Sequence, residues 1–568
     1  KHYDVDFFVN VDGDDLFFDS GLADLCFEQW ELSGKEIDFI NGHGLYNDVY
    51  GISRKAIETV CREKNSNETE FIKTYFENIS DLIKSEKISD VPLEYQKQKI
   101  RMTLDYEEDL DFFETVIERM NFAASHKKPS IKDILKFLEF NPQIVDINWF
   151  REQEWADNQK KMMNKNPPKY TNNEIKYVQS VLNSEEWSST AGSWCQKLES
   201  EFSKKFESKY AVAMNSGTST LHAALEALGV GAGDEVISPA LTVIMDSTAT
   251  FHANAIPVYA DIDPKTFNID PADIERKITD KTKAIIVVSL YGLPCDMDRI
   301  MEISRKYDIP VIEDNAQCFL SKYKGKMVGT FGDVSSWSFE NSKHISCGEG
   351  GIITTNSERA AELARKIAGH GYKNLKASEG QIKLKQETYQ NPNYKRHSEI
   401  GWNYRLSEIL AAVALGQLET IDEKVSLRQK VANIFLKEME ACDYLLPQSV
   451  PDDCTHSYFT LGVLYEGLEK IGVEWQEFRK KYVEFGGDGF YGAWSVPYLE
   501  PVITERRYVK RAPSIYEDVH YEPGLCPVAE KIQPKLMQFK TNYRNLALAK
   551  QKATALKKTI NYYKGEKK

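Results

Sequence analysis

The sequence predicts an α/β protein in which a mixed, mostly parallel β-sheet lies between helices, with a smaller α+β domain after it. Two observations support this prediction. Apolar runs of strand length alternate with helical segments, and most runs are continuous, as expected for strands covered on both faces. Beyond Trp402 the chain becomes more helical, with predicted helices over residues 406–421 and 425–442, and it ends in a mixed segment and a final helix over residues 542–562. The predicted strands are residues 235–239, 257–260, 284–290, 310–313, 334–339 and 351–355.

The composition is that of a large globular protein without a general nucleic-acid surface. A chain of 568 residues is long enough for about two to four domains. The 72 basic and 86 acidic side chains give a net charge of −14, which disfavours binding to nucleic acid. Nine scattered cysteines without CxxC pairs predict reduced thiols, with no disulfides and no zinc or iron–sulfur site. No apolar run reaches about 18 residues and the first residues lack a signal-peptide pattern, so we expect a cytoplasmic protein without a membrane segment.

The first region begins with a predicted strand within residues 4–18, which ends in an acidic turn. Asp12, Asp14 and Asp15 lie in this turn, and carboxylates at the carboxyl end of a strand suit a hard cation such as Mg²⁺. A solvated turn explains the same pattern and is favoured on this stretch alone. Because the chain starts with lysine inside a strand-like run, we expect it to be part of a longer protein.

A helix and a linker separate this region from the rest of the chain. Residues 131–141 have an amphipathic helical pattern, and residues 149–168 are charged and end in two prolines, which cannot extend a helix. Residues 171–174 then offer capping side chains for a new helix. The predicted parts are an N-terminal domain (1–125), a helix and linker (126–167), a large domain (168–400) and a small domain (401–568).

Three patterns in the large domain bring an amine, an acid and a helix start to strand ends. Lys343 lies in the polar turn after the predicted strand 334–339, and Asp314 follows the preceding strand. Residues 215–219 open a helix whose free amides and positive dipole end can bind a dianionic phosphate. Open α/β sheets bind their ligands at the carboxyl ends of strands. The set meets the needs of pyridoxal phosphate (PLP): a Schiff-base amine, a counter-ion for the pyridinium nitrogen and a phosphate site.

Five segments resemble the DegT/DnrJ/EryC1/StrS family of sugar aminotransferases, in the family's order and spacing across residues 165–563. The segments are NSGTSTLHAAL (215–225), VYADIDPKTFNID (258–270), VIEDNAQ (311–317), SFENSKHISCGEGG (338–351) and GWNYRLSEILAAV (401–413). The resemblance implies the fold-type-I aminotransferase large domain, a small C-terminal domain, PLP as cofactor and a homodimer with shared active sites.

The resemblance also implies roles for individual residues. Lys343 would bind PLP covalently and then move the α-proton of the amino donor, while Asp314 would hold the pyridine nitrogen. The other implied contacts are Gln317 for the ring hydroxyl, Gly217, Thr218 and Ser338 for the phosphate, Val243 against the ring, and Asn403 for the phosphate of the neighbouring subunit's cofactor.

The sequence departs from the family pattern at Val243, where relatives often carry an aromatic residue, and an aliphatic side chain there stacks less on the ring. His344 is either a substrate contact or, as we favour, a turn residue, and the role of His370 stays open. Dehydratases of the same fold carry histidine at the position of Lys343, and another branch adds a cysteine cluster. Neither feature occurs in this chain, so the aminotransferase interpretation is preferred.

In the N-terminal region, residues 42–54, 69–71 and 101–110 resemble the rear half of cytidylyltransferases that make CMP-activated acidic sugars, including the spore-coat polysaccharide type. The resemblance implies that Asp14 and Asp105 are vestigial Mg²⁺ ligands. The front strand and the basic, glycine-containing loop of that family do not occur in this chain. We therefore expect a truncated domain or a retained scaffold, without cytidylyltransferase activity.

The predicted function is amino transfer from L-glutamate or L-glutamine to a keto sugar, in amino-sugar and surface polysaccharide biosynthesis, including lipopolysaccharide. In this family the acceptor is commonly a nucleotide-linked 4-keto-6-deoxyhexose or a 3-keto sugar. The N-terminal resemblance raises an alternative acceptor, an octulosonate or nonulosonate later joined to CMP. Two further alternatives are a non-catalytic scaffold that binds PLP or sugar nucleotide, and a bifunctional enzyme completed by an upstream nucleotide-binding half.

Overall fold

The computed structural model describes residues 5–11, 17–42, 45, 48–63, 75–76, 79, 82–92, 100–104, 106–122, 130–152, 168–489 and 491–565. The chain divides into two compact units, residues 1–167 with 545–548 and residues 168–544 with 549–568. Asp14 and Asp105, the predicted Mg²⁺ ligands, lie outside the described residues, so their role stays a prediction.

The N-terminal unit is built on a four-stranded sheet. Its elements are β1 (Phe7–Val11), α1 (Ser20–Leu32), β2 (Phe39–Asn41), β3 (Val49–Ser53), α2 (Arg54–Glu63), β4 (Ser85–Lys87), α3 (Glu107–Arg119), α4 (Ile131–Phe140) and α5 (Pro142–Val145). The strand order is β1-β3-β2-β4. The pairs β1/β3 and β3/β2 are antiparallel, and β2/β4 is parallel. The helix predicted over residues 131–141 occurs as α4.

A buried ion pair lies in the segment that carries the N-terminal resemblance. Arg101 is 2% exposed and Asp109 is fully buried. The guanidinium donates from Nε to Asp109 Oδ1 at 2.9 Å and from Nη2 to Oδ2 at 3.1 Å. Asn148 Nδ2 donates to Asp109 Oδ1 at 2.9 Å. This carboxylate therefore serves the packing of the unit, joining α3 to the segment before it.

The second unit is organised by a seven-stranded sheet. The strands of this unit are β5 (Tyr210–Met214), β6 (Glu235–Pro239), β7 (Ile256–Ala260), β8 (Thr282–Val288), β9 (Val311–Asp314), β10 (Lys322–Tyr323), β11 (Lys326–Met327), β12 (Val334–Ser338), β13 (Gly351–Thr355), β14 (Leu445–Pro447), β15 (Cys454–Thr455), β16 (Leu461–Tyr465), β17 (Tyr491–Gly492) and β18 (Leu536–Phe539). The large sheet has the order β5-β13-β12-β9-β8-β6-β7. β13 runs in the opposite direction to the other six strands of this sheet, which are parallel to one another. The predicted mixed, mostly parallel sheet is confirmed.

Helices cover both faces of the large sheet. The helices from residue 168 onward are α6 (Asn172–Ser184), α7 (Trp194–Lys205), α8 (Gly217–Ala227), α9 (Met245–His252), α10 (Pro271–Lys277), α11 (Met297–Tyr307), α12 (Glu358–Ala368), α13 (Gln386–Gln390), α14 (Glu408–Glu419), α15 (Ile421–Met439), α16 (Gly467–Ile471), α17 (Trp475–Glu484), α18 (Pro501–Thr504), α19 (Pro513–Tyr516), α20 (Pro527–Ile532) and α21 (Leu546–Gly565). In β5, Val212 and Met214 pack in one core cluster with α8 and α12, while Ala211 and Ala213 pack in another with α7 and α14. Alternate residues of the strand thus face opposite helix layers.

The C-terminal part carries a second sheet with the order β14-β16-β18-β17. Helix α14, which the sequence places at the start of the small domain, packs on α6 and α7 of the large domain. Its Glu408 accepts hydrogen bonds from the backbone amides of Trp194 and Cys195. The structure groups these parts in one compact unit, and the predicted division at residue 400 stays a prediction.

A buried ion pair joins three elements of the second unit and leads to a stability prediction. Glu199 of α7 and Arg365 of α12 are each 7% exposed and bonded at 2.9 and 3.0 Å. Glu199 also accepts from the amide of Ala213 at 2.9 Å. The Glu199→Gln substitution leaves a buried guanidinium without its counter-charge, which costs about 3–5 kcal/mol. We expect a clear fall in the thermal unfolding midpoint.

A matched control on the same helix is Glu201→Gln. Glu201 is exposed and pairs with exposed Lys204, so its loss should cost less than about 1 kcal/mol. Calorimetry or circular dichroism on the three proteins measures the midpoints. Equal midpoints for the two variants would contradict the structural importance of the buried pair.

Candidate active site

The predicted site residues come together at one edge of the large sheet. The parallel strands β9 and β12 end at Asp314 and Ser338, and β5 ends at Met214 just before α8. Antiparallel β13 begins at this edge, because Gly351 pairs with Met214 on one side and Ser338 on the other. The carboxyl ends of three strands therefore surround one place, as expected for ligand binding in an open α/β sheet.

The start of α8 forms a cradle next to the end of β12. Ser216 caps the helix by accepting from the Ser219 amide at 3.0 Å. A Cβ atom at Gly217 would lie only 2.9 Å from the Ser338 Cβ atom, so glycine is what lets the two backbones approach. Thr220 and Ser336 hydroxyls are 2.7 Å apart and fasten the helix to the strand. The helix N-terminus can thus present its amides and dipole to a phosphate.

Asp314 supplies the buried acid of the site. It is 4% exposed, and its Oδ1 accepts from the Ala316 amide at 2.9 Å. Burial raises the pKa of this carboxyl, while the Ala316 amide and the positive charge of Lys343 act in the opposite direction. An acid in this place is costly to ionise unless a cation accompanies it. A protonated pyridine nitrogen would be such a cation.

A second buried acid, Asp246 of α9, accompanies Asp314. Asp246 is fully buried, and its Oδ2 accepts from the Thr242 hydroxyl at 2.7 Å. Its Oδ1 has no hydrogen-bond partner among the described residues. Burial first and the negative charge of Asp314 second hold the pKa of Asp246 well above its usual range. The sequence analysis missed this residue, because a single aspartate in a mixed helical segment has no local signature.

Lys343 supplies the amine. Its Nζ lies 4.5 Å from the centroid of the Phe459 ring. Burial lowers the pKa of Lys343, Asp314 and Glu340 raise it, and Arg428 lowers it further. A lysine with a lowered pKa can act as a base near neutral pH. Phe459 and Arg428 were also missed by the sequence analysis, because both lie far from Lys343 along the chain.

Four further residues were predicted to contact the cofactor: Gln317, Thr218, Val243 and Asn403. Gln317 is buried, and its Oε1 accepts from the Tyr291 amide at 2.9 Å. Thr218 is half-buried in the first turn of α8, and Val243 is half-buried just before α9. The side chain of Asn403 is exposed, while its carbonyl accepts from Asn215 Nδ2 at 3.3 Å. The assigned cofactor contacts of these residues stay predictions.

The two histidines that the sequence analysis singled out, His344 and His370, have different surroundings. His344 is 3% exposed, and its Nε2 lies 3.0 Å from the Ser457 carbonyl oxygen. Burial and the charge of Arg428 hold the pKa of His344 well below its usual range, so the ring is a neutral packing element. The preferred prediction, a turn residue, thus describes the backbone of His344, while its side chain is packed in the interior. His370 is exposed and has a left-handed φ of 58°.

The residues present fit PLP. The glycine that leaves the cradle open, the buried acid and the desolvated amine meet its three requirements at one sheet edge. PLP, when bound, supplies a ring that accepts the electron pair left by the departing α-proton of an amino donor. Asp314 would hold the proton on the pyridine nitrogen. Lys343 would take and return the proton at the substrate carbon.

The described part of the chain shows no metal cluster, no disulfide and no membrane-spanning helix. It contains no group of three or more His, Cys, Asp or Glu side chains that could hold a metal ion. Its nine cysteines are unpaired. Among the described helices, none is both long enough and apolar enough to cross a membrane.

Comparison with known proteins gives consistent results. The sequence profile of the DegT/DnrJ/EryC1/StrS aminotransferase family matches residues 168–538. The GDP-perosamine synthase of Escherichia coli O157:H7 is 38% identical over 303 residues, which cover 53% of this chain and 78% of that protein. The UDP-2-acetamido-2-deoxy-3-oxo-D-glucuronate aminotransferase of Pseudomonas aeruginosa is 42% identical over 237 residues, covering 42% and 61%. The crystal structure of an aminotransferase from Psychrobacter cryohalolentis has a TM-score of 0.61 and 31% identity, covering 70% and 99%.

Proposed function

The chain belongs to the DegT/DnrJ/EryC1/StrS aminotransferase family, and we propose that it transfers the amino group of L-glutamate to the keto group of a nucleotide-linked sugar. The observation that carries the proposal is the buried amine of Lys343, which interacts electrostatically with the buried Asp314 at the carboxyl ends of the strands. L-Glutamine is the alternative donor.

Two features support a sugar nucleotide as acceptor. Relatives are named for GDP- and UDP-linked sugars, one of them a 3-oxo sugar. In this chain, a cavity of about 260 Å³ begins at Ile244, next to Val243, and is bordered by His252, Arg507 and Arg511. No carboxylate of the described residues pairs with Arg511, so this guanidinium is available to an anion such as a diphosphate. We favour a 4-keto-6-deoxyhexose, the acceptor type that the family resemblance implies, and keep a 3-keto sugar as the alternative because one relative is named for a 3-oxo sugar.

We also propose a homodimer with shared active sites in the cytoplasm. The exposed side chain of Asn403 at the cradle edge is consistent with a contact to a second subunit. The molar mass in solution, measured by light scattering, tests the dimer, and a monomeric mass under active conditions would refute it.

For the N-terminal unit we propose a cytidylyltransferase-like scaffold that supplies no activity. The buried Arg101–Asp109 pair supports a structural role for the segment 101–110. Incubation of the chain with CTP, Mg²⁺ and acidic sugars tests the proposal, and formation of a CMP-sugar would refute it.

The aminotransferase function is tested in two half-reactions. With PLP bound, L-glutamate should remove the visible absorption of lysine-bound PLP and release 2-oxoglutarate. A nucleotide-linked 4-keto-6-deoxyhexose should then restore the absorption and gain an amino group, detected by mass spectrometry. The same sugar nucleotide with a hydroxyl in place of the keto group is the matched control. A spectrum unchanged by both glutamate and glutamine would overturn the proposal.

A further inference from the structure

Two cationic side chains donate hydrogen bonds to three consecutive backbone carbonyls of the turn that carries Lys343. Lys169 Nζ donates to the Asn341 carbonyl at 2.6 Å. Arg428 Nη2 donates to the Ser342 carbonyl at 2.9 Å and to the Lys343 carbonyl at 3.3 Å. We call the two cationic side chains, Lys169 and Arg428, the carbonyl clamp. Hydrogen bonds from charged donors are stronger than neutral ones, so the clamp limits the motion of the turn.

Arg428 is an unusual residue for a packing position in α15. It is 7% exposed, and no carboxylate of the described residues forms an ion pair with it. Its other amino group donates to the Phe459 carbonyl at 2.6 Å. Burial without a carboxylate lowers the pKa of Arg428 to about 9. A buried cation without a counter-ion is costly, and an apolar residue could fill the space at less cost. Its charge therefore calls for a functional explanation.

Lys343 and Arg428 share one aromatic ring. The Lys343 Nζ lies 4.5 Å and the Arg428 Cζ 5.6 Å from the centroid of Phe459. The ring attracts both cations, yet the two charges repel each other through a region that burial keeps at low dielectric. The other charged groups that act on Lys343 are Asp314 and Glu340, which favour its charged form. Burial is the main influence that opposes these two acids, and the positive charge of Arg428 adds to it.

We propose that the carbonyl clamp positions Lys343 for proton transfer, and that the charge of Arg428 adds to burial in favouring the uncharged lysine amine when it is free to act as a base. Arg428 and Lys169 are positioning residues, since they act through Lys343. The proposal rests on the proposed function, because it gives Arg428 a role toward the catalytic lysine. It adds that an element of the C-terminal part, α15, sets the properties of an amine on the large sheet.

The test measures the ionisation of Lys343 directly, without PLP. The whole chain is labelled briefly with acetic anhydride at a series of pH values, and mass spectrometry of the Lys343 peptide gives the fraction modified. Only the neutral amine reacts, so the midpoint of the profile reports the pKa of Lys343. In Arg428→Met the midpoint should rise by about one pH unit, because the opposing positive charge is lost.

Arg428→Lys separates charge from geometry. Lysine keeps the positive charge, but its single amino group cannot reach the carbonyl oxygens of Ser342, Lys343 and Phe459 together. The labelling midpoint should therefore stay near that of the unsubstituted chain, while the transamination rate falls about tenfold. Lys437→Met, at an exposed position of the same helix, should change neither quantity. A merely structural Arg428 would give equal midpoints in Arg428→Met, Arg428→Lys and the unsubstituted chain, and that result would overturn the proposal.

Lys169→Met covers the case in which Arg428→Met does not fold. Lys169 is exposed, so this variant should fold. Because Lys169 holds the turn through the Asn341 carbonyl, the transamination rate should fall while the labelling midpoint stays near that of the unsubstituted chain. An unchanged transamination rate in Lys169→Met would overturn the clamp. Because labelling needs no cofactor, a failed clamp in a protein that still transaminates leaves the proposed function intact. A chain that does not bind PLP at all would refute the proposed function instead.

Discussion

Lys343→Ala should abolish transamination together with the visible absorption of covalently bound PLP. The side chain supplies the amine that interacts electrostatically with the buried Asp314. In the proposed function it is also the base that takes the substrate proton. An acid–base group alone contributes up to about 10⁴-fold, and the loss of covalent attachment adds to this, so kcat should fall by at least about 10⁴-fold. The measurements are the absorption spectrum with PLP and the rate of 2-oxoglutarate release from L-glutamate.

The loss should not come from unfolding. Burial disfavours the charged form of Lys343, so removing the side chain should leave the thermal unfolding midpoint of the PLP-free protein unchanged or higher. Lys322→Ala, at an exposed lysine of β10, is the matched control and should keep both the spectrum and the rate. An intact visible band in Lys343→Ala would show that another lysine binds the cofactor and that the site is assigned wrongly.

Asp314→Asn should weaken PLP binding and lower kcat/KM by about a thousandfold, comparable to the loss of one preorganised electrostatic partner. The amide has nearly the same shape but no charge to hold the proton on the pyridine nitrogen. The same substitution should stabilise the PLP-free protein. Burial raises the pKa of Asp314 in the folded protein above its value in the unfolded chain. The free energy of unfolding therefore falls as the pH rises from the unfolded pKa toward the folded pKa, and asparagine, which does not ionise, avoids this loss.

Two measurements check these opposite signs. The thermal midpoint near neutral pH should be higher in Asp314→Asn than in the unsubstituted chain without PLP, and added PLP should raise it less. Asp298→Asn, at an exposed aspartate of α11 that pairs with Lys324, is the control and should behave like the unsubstituted chain. A variant that binds PLP as tightly as the unsubstituted chain would exclude Asp314 as the partner of the ring nitrogen.

Much of the large sheet could be predicted because its strands are short, apolar and bounded by polar residues. β9 ends at Asp314, directly after the predicted strand 310–313, and β12 ends at Ser338, one residue before the predicted end, so the local pattern locates the site edge as well. The same local signal does not exist for Phe459, Arg428 or Asp246. Their partners lie on elements distant in sequence, and only tertiary packing brings them to Lys343 or Asp314.

Helix boundaries differ for a similar reason. Helix α15, predicted over residues 425–442, begins at Ile421, because the charged residues after it are compatible with a solvated helical turn. The final helix, predicted from residue 542, begins at Leu546. There the Asn545 Oδ1 accepts from the Ala547 amide at 2.9 Å and caps the helix. Capping side chains fix such ends more precisely than the apolar period does.

The cradle at the start of α8 has a consequence for the folding pathway. Thr220 and Ser336 meet at 2.7 Å although 116 positions separate them in sequence. The cradle is completed only when β13 enters the sheet between β5 and β12. Contacts of such high sequence separation form late, because the chain must first lose the entropy of closing a long loop. During refolding, PLP capture should therefore lag behind helix formation and report the closure of the sheet.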